Sequence, residues 1–311
     1  MSRFMPLEPA ALRRDETGTP FSVRHQDVYH ARQGALEQAR HVFLNGNGLP
    51  GRWRGRASFT VCETGFGLGR NFLALWQAWR EDPRRSGRLH VLAFEAHPFS
   101  RKDLAAASRE LPDSLRPLAE RLVQSWPELL PGVHRLEFDS GCVTLTLIFG
   151  RIEHTAREAQ AGVDAFFLDG FSPTKNPEMW SPALFGQLVR IARPGATAAT
   201  WCANGAVRRD LRDAGFLVRK TPGLGGKWAM TQAVLRPGLG RGTAAQESGP
   251  ILIVGAGPAG AGMAHALALR GCEVLVADPS LSAGRGASHR GHLAAAITPL
   301  VSRDDDQRAR L

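Results

Sequence analysis

The sequence predicts an α/β fold, in which a Rossmann-like domain with a parallel sheet precedes the first βαβ unit of a second Rossmann domain. Apolar strand patterns alternate with helical patterns over residues 1–235, the order typical of a parallel sheet with helices on both faces. Two glycine-rich turns, at residues 65–69 and 255–260, each follow a strand pattern and precede a helical one. Glycines at such turns let the backbone bend sharply and approach a nucleotide closely.

Each element has its own signal along the chain. Residues 1–45 form a lead-in with a helical pattern at 33–43, and Asn45-Gly46-Asn47-Gly48-Leu49-Pro50 then predicts a loop. Apolar runs predict strands at 58–62, 89–94, 165–168 and 196–201. Apolar residues at helical spacing predict helices at 70–80, 99–110, 117–125, 182–192 and 206–214. Two further apolar runs, 134–138 and 143–149, flank a turn sequence and predict a hairpin.

A domain boundary is predicted at residues 236–250, where apolar periodicity stops and Gly, Pro and polar residues dominate. The sequence therefore divides into a first domain at 1–235, a linker at 236–250 and the truncated start of a second domain at 251–311. The second segment is shorter than a complete dinucleotide-binding fold requires.

The chain is strongly basic, with a formal net charge of +10 that rests almost entirely on arginine. Lys102, Lys175, Lys220 and Lys227 are its only lysines. A polyanionic partner explains this charge, and a GC-rich genome that favours arginine codons explains it equally well.

The cysteines, Cys62, Cys142, Cys202 and Cys272, are widely separated and form no C-x-x-C pair, so the sequence predicts neither a zinc or other metal site nor a disulfide framework. This usage, with no signal-peptide pattern at the start, predicts a cytoplasmic protein. The uncharged stretch 251–269 is interrupted by Gly and Pro, which predicts strand, turn and helix and no membrane span.

The first glycine turn predicts a site for an adenosine-containing cofactor. It consists of Gly65, Gly67 and Gly69 after a strand that ends at Glu63, and the next strand ends at Glu95. An acidic side chain there can bind both hydroxyls of a ribose. The turn continues into Arg70-Asn71 and lacks the Lys-Ser or Lys-Thr of a P-loop, which disfavours a triphosphate. Tight-turn geometry without a ligand is the alternative.

The segment 169–180 follows a predicted strand, at the sheet edge where such folds bind substrates. It begins with Asp169 and contains Phe171, Lys175, Asn176 and Trp180. A carboxylate at that position can hold an amine in line with an electrophilic methyl group and receive its proton. The alternative is a turn that caps the helix predicted from residue 182.

Four segments together carry a family resemblance: residues 63–73, residues 169–180, residues 45–50, and residues 207–211 with Ala214-Gly215-Phe216. They resemble the bifunctional tRNA 5-methylaminomethyl-2-thiouridine biosynthesis family, and the resemblance covers nearly the whole chain. It implies an S-adenosylmethionine-dependent methyltransferase domain followed by an FAD-dependent oxidoreductase domain, both acting on the wobble uridine of tRNA. The oxidoreductase removes a carboxymethyl group, and the methyltransferase then methylates the exposed amine.

The resemblance also implies residue roles. Asp169 lies by the reacting amine, and its loss is expected to abolish transfer. The residues expected to bind S-adenosylmethionine are Glu63, Gly65, Gly67, Gly69, Asn71, Glu95 and Asp169. Those expected to bind tRNA are Phe171, Lys175, Asn176, Trp180, Arg208 and Arg209, the cations through phosphates and the aromatics by stacking on a base. A solvated surface charge is the alternative for each cation, and a core position is the alternative for the aromatics. Two positions depart from the family pattern: Arg70 replaces a usual leucine, and His25-Gln26 replaces an aromatic-acidic pair.

The second glycine turn predicts an FAD or NAD site, and by the resemblance FAD. Gly255, Gly257 and Gly260 precede a helical pattern, and the next strand ends at Asp278, placed to bind a ribose. Residues 284–288 and 291–293 resemble the family's flavin-contacting turn. Because little sequence follows, we expect this second domain to be inactive as an oxidoreductase. Two alternatives stay open: an FAD-dependent tRNA oxidoreductase whose front domain mainly binds tRNA, and a non-catalytic tRNA-binding remnant.

Overall fold

The computed structural model describes residues 7–30, 34–225, 228–242 and 249–284. By their internal contacts the described residues form two compact units, one within residues 7–242 and one within residues 249–284. The first unit has eleven described strands: β1 (Arg13–Arg14), β2 (Pro20–Ser22), β3 (Asp27–Val28), β4 (Ser58–Glu63), β5 (Arg88–Glu95), β6 (Gly132–Phe138), β7 (Val143–Phe149), β8 (Val163–Phe167), β9 (Ala192–Thr200), β10 (Phe216–Thr221) and β11 (Met230–Leu235).

The described helices of the first unit are α1 (Ala35–Gln38), α2 (Arg70–Glu81), α3 (Arg101–Ser108), α4 (Arg116–Gln124), α5 (Ile152–Thr155), α6 (Pro182–Ile191) and α7 (Gly205–Asp213). The helix predicted at 33–43 is α1 continued by a π-helical turn, Ala39–Leu44; residue 33 lies outside the described residues. The other predicted helices and strands are confirmed to within three or four residues at their ends. Strands β10 and β11 and the short strands of the lead-in were not predicted.

Eight strands form one sheet in the order β10-β11-β9-β8-β4-β5-β7-β6. The five central strands β9, β8, β4, β5 and β7 are parallel, whereas β11 and β6 run antiparallel to their neighbours. From β4 the chain adds strands first on one side and then on the other. The carboxyl end of β4 is therefore a topological switch point, where open α/β sheets bind ligands.

The core lies on both faces of this sheet. Phe59 and Val61 of β4 join one buried cluster, which contains α2 and α4, while Cys62 joins the other, which contains α6 and α7. Successive side chains of a strand point to opposite faces, so a strand buried on both faces reads as a continuous apolar run. This is why the sequence located β4, β5 and β8 correctly.

The loop predicted at 45–50 includes a short 3₁₀ turn that fixes the sheet from one side. Asn47 is 1% exposed. Its amide nitrogen donates to the carbonyls of Phe43 (2.9 Å) and Phe166 (3.2 Å), and its amide oxygen accepts from the Thr197 hydroxyl (2.6 Å). One side chain thus connects the π-helical turn to β8 and β9, so this motif has a structural role.

The described part of the second unit is a βαβ unit: β12 (Ile251–Val254), α8 (Pro258–Leu269) and β13 (Val274–Ala277), with the two strands parallel. Leu252, Val254 and Leu275 are 62%, 81% and 53% exposed, so one face of this two-stranded sheet is open to solvent. Among the described residues of both units, no helix combines the length and apolar character needed to cross a bilayer.

Candidate functional site

A cavity of about 630 Å³ opens at the carboxyl ends of β4, β5 and β8. Its volume is within the usual range for small-molecule sites, about 300–1,000 Å³. Of the residues singled out in the sequence, those that line it are Gly65, Gly67, Asn71, Glu95, Asp169, Phe171, Lys175 and Asn176. The fold therefore brings the glycine turn and the segment after β8 to one place, as the sequence predicted.

Asp169 lies two residues beyond the end of β8 and is half-buried in the cavity wall. Its Oδ2 accepts from the Asn71 side-chain amide (2.7 Å), and its Oδ1 accepts from the Gly170 backbone N–H (2.9 Å). Burial raises the pKa of this carboxyl to about 6, against the lowering effect of those two hydrogen bonds. The site thus holds a weakly basic carboxylate in a fixed orientation.

Glu63 lies beneath the cavity and does not line it, so its role as a cofactor-binding residue stays a prediction. It is 1% exposed, and its Oε1 accepts from the same Asn71 amide (2.7 Å) that Asp169 uses. Its Oε2 is buried and has no hydrogen-bond partner among the described residues. Burial and the nearby Asp169 raise the pKa of Glu63 well above its ordinary value, so the proton-bearing form is favoured.

Glu95 is the last residue of β5 and lies beside the glycine turn. Its Oε2 accepts from the Gly67 backbone N–H and its Oε1 from the His97 backbone N–H, both at 2.7 Å. Each carboxylate oxygen can accept a further hydrogen bond, so the side chain is oriented with capacity for two hydroxyl donors. This geometry fits the ribose role expected of Glu95.

The glycines of the first turn have different tasks. A Cβ on Gly65 would lie 3.0 Å from the backbone oxygen of Asp169, so glycine lets the turn and the segment after β8 approach closely. Gly67 lines the cavity. Gly69 does not: it is the left-handed residue before α2 and packs against the ring of Phe66. Gly69 thus shapes the turn, and its contact with a cofactor stays a prediction.

The lead-in closes over the segment after β8, a contact that no local pattern predicted. Asp27 Oδ2 accepts from the Ser172 backbone N–H (3.0 Å). The His25 ring stacks on Phe171, with centroids 4.4 Å apart and planes inclined by 21°, and Tyr29 meets the same ring edge-on at 5.1 Å. The lead-in thus supplies part of the cavity wall.

His25, His97, Tyr29 and Arg70 also line the cavity, and sequence reasoning assigned none of them to the site. Burial lowers the pKa of both histidines, which favours neutral imidazoles. Burial likewise raises the pKa of Tyr29 and lowers that of Arg70 to about 10. The departures from the family pattern at His25 and Arg70 were the one available signal.

The remaining predicted tRNA contacts divide by exposure. Lys175 is exposed at the cavity and Asn176 half-exposed. Trp180 is only 6% exposed, and its indole N–H donates to the Phe171 carbonyl (2.8 Å), which favours the alternative of a core residue that supports the loop over stacking on a base. Arg208 and Arg209 lie on α7 and do not line the cavity.

The second unit shows the geometry of a dinucleotide fingerprint. Asp278 Oδ2 accepts from the Ala256 backbone N–H (2.8 Å) and Oδ1 from the Ser280 backbone N–H (2.8 Å). A Cβ on Gly260 would lie 1.9 Å from the Gly255 oxygen, so only glycine fits there. Gly257 precedes α8 as its N-terminal cap. Residues 285–288 and 291–293 of the expected flavin-contacting turn lie outside the described residues.

Comparisons with known proteins agree with this fold. Residues 113–236 match a family described as S-adenosyl-L-methionine-dependent methyltransferase. The crystal structure of MnmC2 from Aquifex aeolicus superposes with a TM-score of 0.59 over 75% of this chain and 73% of that chain, at 23% identity. That likeness supports the α/β methyltransferase-type fold.

Two relatives in sequence are tRNA 5-methylaminomethyl-2-thiouridine biosynthesis bifunctional proteins named MnmC. The one from Aromatoleum aromaticum is 50% identical over 308 residues, 99% of this chain and 48% of its own length. The one from Cupriavidus necator is 49% identical over 314 residues, 98% of this chain and 47% of its own length. The chain is therefore a relative of the MnmC bifunctional proteins, carries a methyltransferase fold, and spans about half the length of these curated relatives.

Proposed function

We propose that the unit described by residues 7–242 transfers a methyl group from S-adenosylmethionine to the primary amine of 5-aminomethyluridine, or its 2-thio form, at the wobble position of tRNA. The product is the 5-methylaminomethyl derivative. The names of the relatives supply the substrate class, and the matching family supplies the reaction class. Such a substrate fits the predicted cytoplasmic location.

One observation carries the proposal: the Asp169 carboxylate is fixed in a cavity beside a glycine turn and an oriented Glu95. The residues fit S-adenosylmethionine. Glu95 has acceptor capacity for two ribose hydroxyls, and Gly65, which lines the cavity, lies too close to the Asp169 backbone to carry a side chain. We keep Glu63, whose buried Oε2 has no hydrogen-bond partner among the described residues, as a proposed cofactor-binding residue.

Bound S-adenosylmethionine supplies an electrophilic methyl group on a sulfonium, so the protein needs no strong base. As the new nitrogen–carbon bond forms, the carbon–sulfur bond breaks and S-adenosylhomocysteine leaves. The methylated nitrogen then releases one proton. Asp169, with a pKa of about 6, is mostly ionised at neutral pH and accepts a hydrogen bond from the amine. Because it is a weak base, it can pass that proton on to water.

The tRNA side of the cavity has aromatic and cationic groups. Phe171 is covered on one face by His25, so the two rings form a stack at the cavity wall. We propose that this stack receives the extruded wobble base and that exposed Lys175 contacts a nearby phosphate. We keep Arg208 and Arg209 as proposed phosphate contacts outside the cavity. Asn176 is proposed to contact the nucleotide directly.

The testing experiment is transfer of labelled methyl to two tRNA preparations, one with 5-aminomethyluridine and one with the carboxymethylaminomethyl form at the wobble position. Label in the first alone supports methyl transfer without oxidoreductase activity. Label in neither, with a folded protein, contradicts the proposal. The Asp169→Ala variant is the control, and it is expected to bind S-adenosylmethionine while losing transfer.

A second candidate rests on the fingerprint geometry of Gly255, Gly260 and Asp278. It is an FAD-dependent oxidoreductase in which the front unit mainly binds tRNA. When bound, FAD would supply the oxidation. A yellow, FAD-containing preparation that converts the carboxymethylaminomethyl tRNA to the aminomethyl form, with methyl label on neither tRNA, would favour this candidate over the first.

A further inference from the structure

A second surface of the first unit has a chemistry that the methyl-transfer site does not use. On one face of the β10–β11 hairpin, Leu217 pairs with Val234 and Arg219 with Gln232. Leu217 and Val234 are 53% and 44% exposed. The opposite face of the same hairpin packs against α7. The exposed face forms the floor of a groove of about 660 Å³, which we name the arginine groove.

Four arginines line the arginine groove: Arg52, Arg212, Arg219 and Arg236. No aspartate or glutamate lines it. None of the four arginines forms an ion pair with another described residue. The groove therefore concentrates positive charge without a direct ion pair among the described residues, although the Asp164 carboxylate is close enough to act on Arg52.

Two of these cations are held in place by neutral acceptors. The Arg219 Nε and Nη2 donate to the Gln232 side-chain oxygen at 2.9 and 2.5 Å. Arg52 donates to the Thr197 hydroxyl and to the backbone oxygens of Asp164 and Gly195. A neutral acceptor orients a guanidinium and leaves its charge available to an external anion.

Other arginines of the same unit behave differently. Arg56 and Arg193 form ion pairs with buried Asp164, at 2.8 and 3.1 Å, and Arg54 pairs with buried Asp82 at 2.9 Å. The chain thus supplies carboxylates to arginines that fix its fold. Their absence from the arginine groove distinguishes it from an ordinary structural cluster.

We propose that the arginine groove binds the phosphate backbone of the RNA substrate, at a site separate from the catalytic cavity. This inference rests on the proposed function. No residue lines both the cavity and the groove. In the sheet, β10 is four positions from β4, an offset across the strands of roughly 19 Å at about 4.8 Å per strand. The groove also extends toward the amino ends of β8 and β9, where Arg52 contacts the backbone oxygens of Asp164 and Gly195, whereas the cavity lies at the carboxyl ends, so the two sites are separated along the strands as well. A tRNA arm is long enough to contact both.

Charge decides between RNA and protein as the occupant. The cores of protein–protein interfaces are depleted in charged residues. Here three exposed arginines, Arg212, Arg219 and Arg236, surround only two exposed apolar side chains. A groove with this ratio suits a polyanion, in which each phosphate contact releases counterions and makes binding depend on salt.

The test compares two triple variants of the full chain. The first, Arg212→Gln with Arg219→Gln and Arg236→Gln, removes the exposed cations of the groove. The control removes the same charge elsewhere, through Arg84→Gln, Arg109→Gln and Arg157→Gln, all exposed and outside both the groove and the cavity. The wild type is first assayed for methyl transfer, so a failure of the proposed function is seen separately.

The measurement is the dissociation constant for 5-aminomethyluridine tRNA at several salt concentrations. The groove variant is expected to bind at least about tenfold more weakly, with a log–log salt slope smaller by roughly 3, while the control changes little. Its kcat at saturating tRNA and its affinity for S-adenosylmethionine are expected to stay unchanged. Equal tRNA binding by both variants would overturn the proposal. So would a change of oligomeric state, by sedimentation, without loss of RNA binding, since the groove would then bind protein.

Discussion

The raised pKa of Asp169 means that the residue proposed for chemistry weakens the fold at neutral pH. Its ordinary pKa of 3.8 becomes about 6 in the folded protein. Below pH 3.8 both states carry the proton and stability is unaffected. As pH rises, the unfolded chain loses the proton first, so stability falls and the full cost is reached above pH 6. A shift from 3.8 to about 6 corresponds to about 3 kcal/mol.

The Asp169→Asn substitution keeps the size of the side chain but prevents its ionisation. It therefore separates the cost of burying the charge from the effect of the side-chain hydrogen bonds. The asparagine cannot ionise, so it avoids the cost of about 3 kcal/mol at pH 8. It also turns one acceptor oxygen into a donor, and one of the two hydrogen bonds, from Asn71 or from Gly170, is lost. Leaving that group unsatisfied costs about 1–2 kcal/mol. We therefore expect the variant to be more stable than wild type by about 1–2 kcal/mol at pH 8.

At pH 4 the sign is expected to reverse. Wild-type Asp169 is then protonated in the folded state and incurs only about 0.5 kcal/mol of the cost, so the lost hydrogen bond dominates and the variant is the less stable protein. Urea unfolding followed by tryptophan fluorescence measures both values. All seven tryptophans lie between residues 53 and 228, so the signal reports the first unit alone. A stability difference that is the same at pH 4 and pH 8 would refute a raised pKa at Asp169.

Three further substitutions test the supports of the site and the fold. Asn71→Leu removes a hydrogen bond that lowers the pKa of Asp169, so the acid limb of the pH–rate profile should move to higher pH, and an unmoved limb would contradict this. Trp180→Phe keeps a buried aromatic ring but loses the hydrogen bond from the indole N–H to the Phe171 carbonyl. Unfolding followed by circular dichroism should show a free energy of unfolding lower by about 1 kcal/mol. An unchanged value would mean that this hydrogen bond does not stabilise the loop. Asp164→Ala leaves Arg56 and Arg193 without their carboxylate and should lower the free energy of unfolding in urea by about 3–5 kcal/mol. The control Asp113→Ala breaks an exposed ion pair and should lower it by less than about 1 kcal/mol. Equal losses in the two variants would contradict this.

The central sheet was predictable because its strands are buried on both faces. β4, β5 and β8 are mostly apolar between turn signals, each with a single polar residue within it (Thr60, His90 and Asp164), and the glycine turn marks the switch point. β10 and β11 were missed for the opposite reason. Their exposed positions include charged residues, as in Phe216–Thr221, where Arg219 and Lys220 end the apolar run after three residues.

The site was predictable only in part, since some of its contacts join distant parts of the chain. Asp169, Glu95 and Asn71 each adjoin a strand end or the glycine turn, and strand ends meet at one sheet edge. The contact of Asp27 with Ser172 spans 145 residues and leaves no local pattern. Trp180 shows another limit: aromatic residues beside a site look alike in sequence, and only packing shows that this one is buried.

The burial that destabilises the fold also solves a problem of the proposed reaction. An alkyl amine has an ordinary pKa near that of lysine, about 10.4, and its protonated form cannot attack a methyl group. Desolvation disfavours both charged forms, so it raises the pKa of Asp169 and lowers that of an amine bound beside it. The pKa values of the carboxyl and the amine therefore approach each other. The bound amine can then pass its proton to Asp169 and become the neutral nucleophile. The acid limb of the rate profile then belongs to the coupled pair of carboxyl and amine, so it should differ from the pKa that Asp169 shows in the free enzyme.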